Sequence, residues 1–190
     1  MMAPMFRPFR STRARRAALA VCLATITGTQ AMPAEPAASV DLARYSGRWY
    51  VIAQAPAPPT PTVGAFFEFA AQPNGRISET YSAHEGTFDQ AAVTHERVLS
   101  SDPQQPARWT ARRNWFSSEQ EWVLYVSSDY GVAVAAVPDR NESWILAREP
   151  VIPEWTYAGL LARAALQGYD VSRFRRMPQK PEQLGQPGFE

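Results

Sequence analysis

Tyr45–Ala53, reading YSGRWYVIA, begins where a short polar turn, DLARYSG over 41–47, gives way to an alternating apolar run. Gly47, Arg48 and Trp49 stand at the start of that run. A tryptophan fixed at the start of a first strand acts as a plug at one end of a closed sheet. A glycine two residues earlier lets the backbone bend tightly beneath it. The run therefore fixes both the direction of the first strand and the end of the sheet that is shut.

Two later stretches extend this reading. Ser127-Ser128-Asp129-Tyr130 lies at a turn between two late strand-like runs, and Trp144-Ile145-Leu146-Ala147-Arg148 ends on an arginine. Taken in order, the G-x-W of Gly47 and Trp49, the Asp129-Tyr130 turn and the terminal Arg148 resemble the three signatures of the lipocalin family. Pro138-Asp139-Arg140, and Gly168 to Ser172 after a helix, are similar to its bacterial lipocalin (Blc) and apolipoprotein D-like branch. The resemblance covers roughly Val40 to Arg176. It implies that Arg148 lies across the indole of Trp49, where a guanidinium on an aromatic face gains about 1 kcal/mol.

Eight strand-like runs follow from Trp49 onward: 48–55, 63–70, 76–83, 91–100, 108–115, 121–127, 132–137 and 143–149. Each is rich in aromatic or β-branched residues, and Gly, Pro, Asn or Asp falls in most gaps. The expected fold is all-β, an eight-stranded antiparallel up-and-down barrel. Pro153 reads as the first residue of a helix with Tyr157, Leu160, Leu161 and Ala164 on one stripe, packed outside the barrel. A short ninth strand is expected over 170–175.

The flanks read differently. Residues 1–31 carry Arg7, Arg10, Arg13, Arg15 and Arg16 and no acid, then the apolar run AALAVCLATI and a small-residue exit at Ala31. This describes a secretory signal peptide, and the run is too short to span a membrane as a helix. Arg15-Arg16 leaves both the general and the twin-arginine export routes open. Cys22 is the one cysteine. Lipidation there would follow Leu19-Ala20-Val21 and leave almost no apolar core, so cleavage near Ala31 is the expectation. Residues 32–40 form a disordered lead-in, 41–176 the barrel domain and 177–190 a mobile tail.

Removing residues 1–31 takes Lys+Arg from 19 to 14 against 18 Asp+Glu, so the net charge moves from +1 to 14 − 18 = −4. A mildly acidic exported domain with no basic stripe excludes nucleic acid as a partner. Without cysteine it excludes disulfides and thiolate chemistry. His84 and His95, the two histidines, lie in no metal-binding spacing, and no nucleophile motif is present, so neither a metal, a cofactor nor an enzymatic activity is expected.

Alternation from Trp49 and Arg148 predicts a cavity lining of Val51, Phe67, Phe69, Ile77, Tyr81, Trp109, Trp122, Leu124, Trp144 and Leu146, with Ala53 also inward. Arg113 and Glu79 are the expected polar exceptions in a lining otherwise aromatic and nearly uncharged. Such a surface suits a fatty acid, a lysophospholipid or a similar lipid, each sheltered methylene contributing about 0.8 kcal/mol. The resemblance implies envelope lipid handling in the periplasm, peripheral association with the outer membrane, and a monomer or homodimer. Two alternatives stay open: haem or tetrapyrrole binding, or small-molecule conversion, with His84 or His95 as a ligand, and a barrel used for protein interaction over a solid core. The loop at 55–62, APAPPTPT, reads as stiff, and the resemblance implies that it stands over the mouth, either holding it open or narrowing it.

Overall fold

A computed structural model describes residues 34–112, 117–138 and 142–189. The signal peptide expected at 1–31 and the inward Arg113 lie outside the described residues. A one-turn helix α1, Leu42–Tyr45, leads into the first strand. Asp41 caps it, its carboxylate accepting from the amides of Ala43 and Arg44 at 2.9 and 3.2 Å. The strands are β1, Gly47–Ala55; β2, Thr62–Ala71; β3, Arg76–Glu85; β4, Ala92–Asp102; β5, Gln105–Arg112; β6, Ser118–Val126; β7, Val132–Ala136; and β8, Ser143–Ala147.

Neighbouring strands pair antiparallel from β2 round to β8, and β8 then pairs with β1. β1 returns to β2 through the register Gly47↔Phe69 to Tyr50↔Phe66, which closes the barrel. Closure leaves no long free sheet edge, and alternate residues face in or out. Trp49, Val51, Phe67, Phe69, Ile77, Leu99, Trp109 and Leu146 form the inner core. Outside, α2, Glu154–Leu166, lays Leu160 and Ala164 on Ile52, Ala53, Val134, Ile145 and Ala147. Burying Leu160 there stabilises the contact by about 2 kcal/mol. Pro153 proves to be the N-cap of this helix, with extended backbone, and not its first helical residue.

Two departures from simple alternation redirect side chains. A bulge between Val51 and Ala53 sends Ala53 to the outer cluster, so it is not a lining residue. In β6, the inward residues are Glu121, Val123 and, after a bulge, Val126; Trp122 and Leu124 lie with the outer cluster. Those two expected lining positions are therefore corrected.

The segment after Met177 also differs from expectation. β1 and β2 separate beyond Tyr50 and Phe66, and the far end of the chain fills the gap between them. A two-residue strand β9, Arg175–Arg176, replaces the ninth strand expected at 170–175, where Val171–Arg173 is a 3₁₀ turn. β9 pairs with Ala53 and Gln54. The Met177 amide donates to Ile52 O at 3.0 Å, and Pro178 O accepts from the Gly64 amide at 2.7 Å. The Gln179 side chain spans the seam, donating to Val51 O at 2.7 Å and Ala65 O at 3.0 Å. Met177 is buried. The tail thus begins as part of the barrel wall, because two parting strands leave backbone groups that need partners.

Candidate functional site: a half-filled barrel

The closed end is built on Trp49. Its indole is fully buried and donates from Nε1 to Tyr45 O at 2.7 Å. The Arg148 guanidinium lies over it, Cζ 4.0 Å from the ring centroid. Arg148 also donates to five carbonyls: Arg48 O at 2.8 Å, Arg44 O at 2.8 Å, Ser46 O at 2.9 Å, Tyr45 O at 3.0 Å and Tyr130 O at 3.3 Å. Gly47 belongs to the same device. With φ at +96° it adopts a backbone that side chains rarely allow, and an added Cβ would lie 3.3 Å from Arg148 Nη1.

The Ser127–Gly131 turn completes this end. Asp129 accepts from Ser127 Oγ at 2.5 Å and from the Gly131 amide at 3.1 Å, and these bonds hold its carboxyl below the ordinary range. The Tyr130 hydroxyl accepts from the Asp41 amide at 2.9 Å, tying the turn to α1. Arg44 lies over the Tyr130 ring at 4.1 Å.

Above this plug the barrel is solid. Tyr45 stacks on Trp49 at 4.7 Å and meets Phe69 and Trp109 edge-on at 5.3 and 5.1 Å. Val51, Ile77 and Leu146 complete the same packed layer. These side chains fill the lower barrel instead of bordering empty space.

Toward the open end a cavity of about 470 Å³ begins. Phe67, Tyr81 and Trp144 line it, Phe67 lying 5.1 Å from Tyr81 and 5.7 Å from Trp144 between centroids. Pro58, Pro59 and Thr60 of the proline-rich loop border its mouth.

The lining is not nearly uncharged. Glu79, Glu119, Arg97 and His95 all border the cavity. Arg97, on β4, donates from Nε and Nη2 to Glu79, from Nη1 to Glu119 at 3.4 Å, and from Nη2 to Glu121. Glu79 and Glu121 are each 2% exposed, so both carboxyls are removed from water. Burial pushes the Glu121 carboxyl well above the usual carboxylate range; the charge of Glu79 adds to this and Arg97 opposes it. The group sets three carboxyl groups around one guanidinium. Burial lowers the Arg97 pKa, but the carboxylates around it outweigh that effect and keep it above its ordinary value.

Glu79 is the one polar lining residue that alternation identifies in this group. Glu119 and Glu121 escape it, because hydrophobicity favours the Trp122 face of β6, and Arg97 and His95 escape it because they lie on β4, whose mixed sequence singles out no inward face. The available signal was the spacing of Glu119 and Glu121 by two, on the strand sequentially beyond the one that faces Arg97. Trp122 instead lies outside under the Arg108 guanidinium, 4.5 Å from Cζ to centroid. His84, at the mouth, shares a 2.6 Å hydrogen bond through Nδ1 with Gln90 O. Among the described residues no group of three or more His, Cys, Asp or Glu is arranged to hold a metal.

Comparison with known proteins bears on this arrangement. Residues 40–179 match the family described as "Lipocalin-like domain". The chain is 28% identical over 164 residues to temperature-induced lipocalin-1 of Arabidopsis thaliana, covering 80% of this chain and 86% of that protein. Over 52 residues it is 38% identical to the outer membrane lipoprotein Blc of Escherichia coli K12, covering 27% of this chain and 29% of the lipoprotein. Among solved structures, insecticyanin from the tobacco hornworm Manduca sexta superposes with a TM-score of 0.60 at 17% identity, covering 78% of this chain and 85% of the other.

Proposed function

The chain belongs to the lipocalin family, and from that premise we propose that it is a carrier which holds one single-chain lipid, a fatty acid or lysophospholipid, in its barrel without transforming it. The fold is one that binds small hydrophobic ligands. The observation that carries the finer reading is the cavity of about 470 Å³ walled by Phe67, Tyr81 and Trp144 above a solid aromatic base. Its size lies within the range of small-molecule sites. The base sets how deep a chain descends, and the proline-rich loop sets the mouth. We place the protein outside the cytoplasm, in the periplasm, handling envelope lipids with peripheral association with the outer membrane, as monomer or homodimer. Partial similarity to an outer membrane lipoprotein supports that placement.

Native mass spectrometry of the purified protein, followed by titration with a fatty acid and a lysophospholipid read by tryptophan fluorescence, tests the carrier reading. A bound lipid mass, or saturable quenching at one ligand per chain, supports it. Absence of both overturns it and leaves protein interaction as the surviving use of the barrel. His95 on the cavity wall keeps a tetrapyrrole reading in play. A Soret band in the same preparation favours that reading over the lipid carrier.

A further inference from the structure

The cavity offers an anionic head group very little. Arg97 is the one arginine or lysine among its described lining residues, and its Nε, Nη1 and Nη2 are all already engaged by Glu79, Glu119 and Glu121. A free carboxylate brought to this depth finds no unengaged guanidinium and meets three carboxyl groups gathered around the one arginine. Glu85 and Glu96 add further acid among the lining residues.

A cationic head meets the opposite surroundings. Phe67, Tyr81 and Trp144 present three aromatic rings to one space, with Glu79 and Glu119 bordering the same space. Aromatic faces with a carboxylate at hand are the surroundings in which alkylammonium groups are recognised, through attraction to the ring faces and the nearby charge. The cavity wall therefore holds carboxyl groups able to balance a cation beside rings able to receive it.

We propose that the cavity takes amphiphiles with an alkylammonium head, seated between the aromatic walls and the Glu79–Glu119 side of the floor, in preference to free carboxylic acids of equal chain length. This rests on the reading of the cavity as a lipid site and narrows the class of lipid it accepts. The head enters first, and the alkyl chain runs toward the mouth past the proline-rich loop.

Three probes of one chain length test it: dodecyltrimethylammonium, dodecanol and dodecanoate. Each is titrated below its micelle concentration at neutral pH, with tryptophan fluorescence as readout and native mass spectrometry for stoichiometry. The ammonium is expected to bind about tenfold more tightly than the carboxylate, with the alcohol between them. Glu119→Gln removes one charge and leaves Arg97 its two buried partners, so the variant is expected to fold. In it the ammonium-to-carboxylate ratio should contract about threefold. Equal or tighter binding of the carboxylate by the unaltered protein overturns the proposal, as does an unchanged ratio in Glu119→Gln. Failure of all three probes to bind overturns the lipid-site reading itself, and is thereby distinct from a failure of selectivity.

Discussion

Replacing Arg148 with alanine tests the plug most directly. The substitution removes the guanidinium from the Trp49 face and withdraws donors from five carbonyls. The carbonyls of Arg44 and Arg48 are near enough to solvent for water to replace the lost bond. Those of Tyr45, Ser46 and Tyr130 are part-buried, and two or three such bonds at about 1 kcal/mol each dominate the cost. The lost cation–π contact adds roughly 1 kcal/mol, so the whole effect is about 3 kcal/mol. For a domain of this size that lowers Tm by roughly 6–12 °C. Urea unfolding followed by tryptophan fluorescence measures it, with the m-value checked for constancy. Arg148→Lys is expected to lose at least half as much, since an ammonium cannot stack flat on the indole while serving that many carbonyls. A loss below about 1 kcal/mol for the alanine variant at unchanged m refutes the plug as a major source of stability.

Burial raises the Glu121 pKa, so its contribution to stability is complete below the unfolded carboxyl pKa near 4.5 and is lost as pH rises through the higher folded value. Glu121→Gln cannot ionise; its stability relative to the native protein should therefore rise with pH above that point, and urea titrations across mildly acidic to neutral pH that show a constant difference contradict it. Trp109→Ala, at a fully buried inner position of β5, should cost about 3–5 kcal/mol, whereas Trp122→Ala, on the outer face of β6, should cost about 1 kcal/mol; thermal unfolding of the pair decides whether Trp122 lies outside the core that Trp109 fills. Gln179→Ala severs both bonds across the β1–β2 seam and should cost about 2 kcal/mol, with faster hydrogen exchange at the Gly64 amide, whose bond to Pro178 depends on the same segment.

The barrel was legible in the sequence because its strands alternate and its closed end depends on residues with few substitutes. Gly47 needs a positive φ, Trp49 needs a flat cation above it, and Arg148 supplies both the stacking plane and the donors. The outer helix was legible from one apolar stripe. Half of the site was not. Alternation ranks a strand's two faces by hydrophobicity, and in β6 that ranking points at Trp122, yet three acids and Arg97 satisfy one another inside the barrel and reverse it. Such a reversal depends on pairing between strands far apart in sequence, which a single run does not display. The bulge after Val51 shifted Ala53 for the same kind of reason, a local insertion that composition does not announce. The alternation that points Phe69, Ile77, Trp109 and Leu146 inward does not say whether they border space or fill it; for Phe69 and Trp109 the ring contacts with Tyr45 place them in the filled base.

The seam closed by residues 175–179 joins parts of the chain far apart in sequence. Val51 reaches its partner 128 positions later in the chain, at Gln179. Until that distant segment is available, the upper half of β1 offers its carbonyls to any strand that passes, its own or another molecule's. A chain shortened before Gln179 would therefore be prone to self-association more than to simple loss of ligand. The stave drawn from farthest along the chain is also the one that keeps one barrel from joining the next.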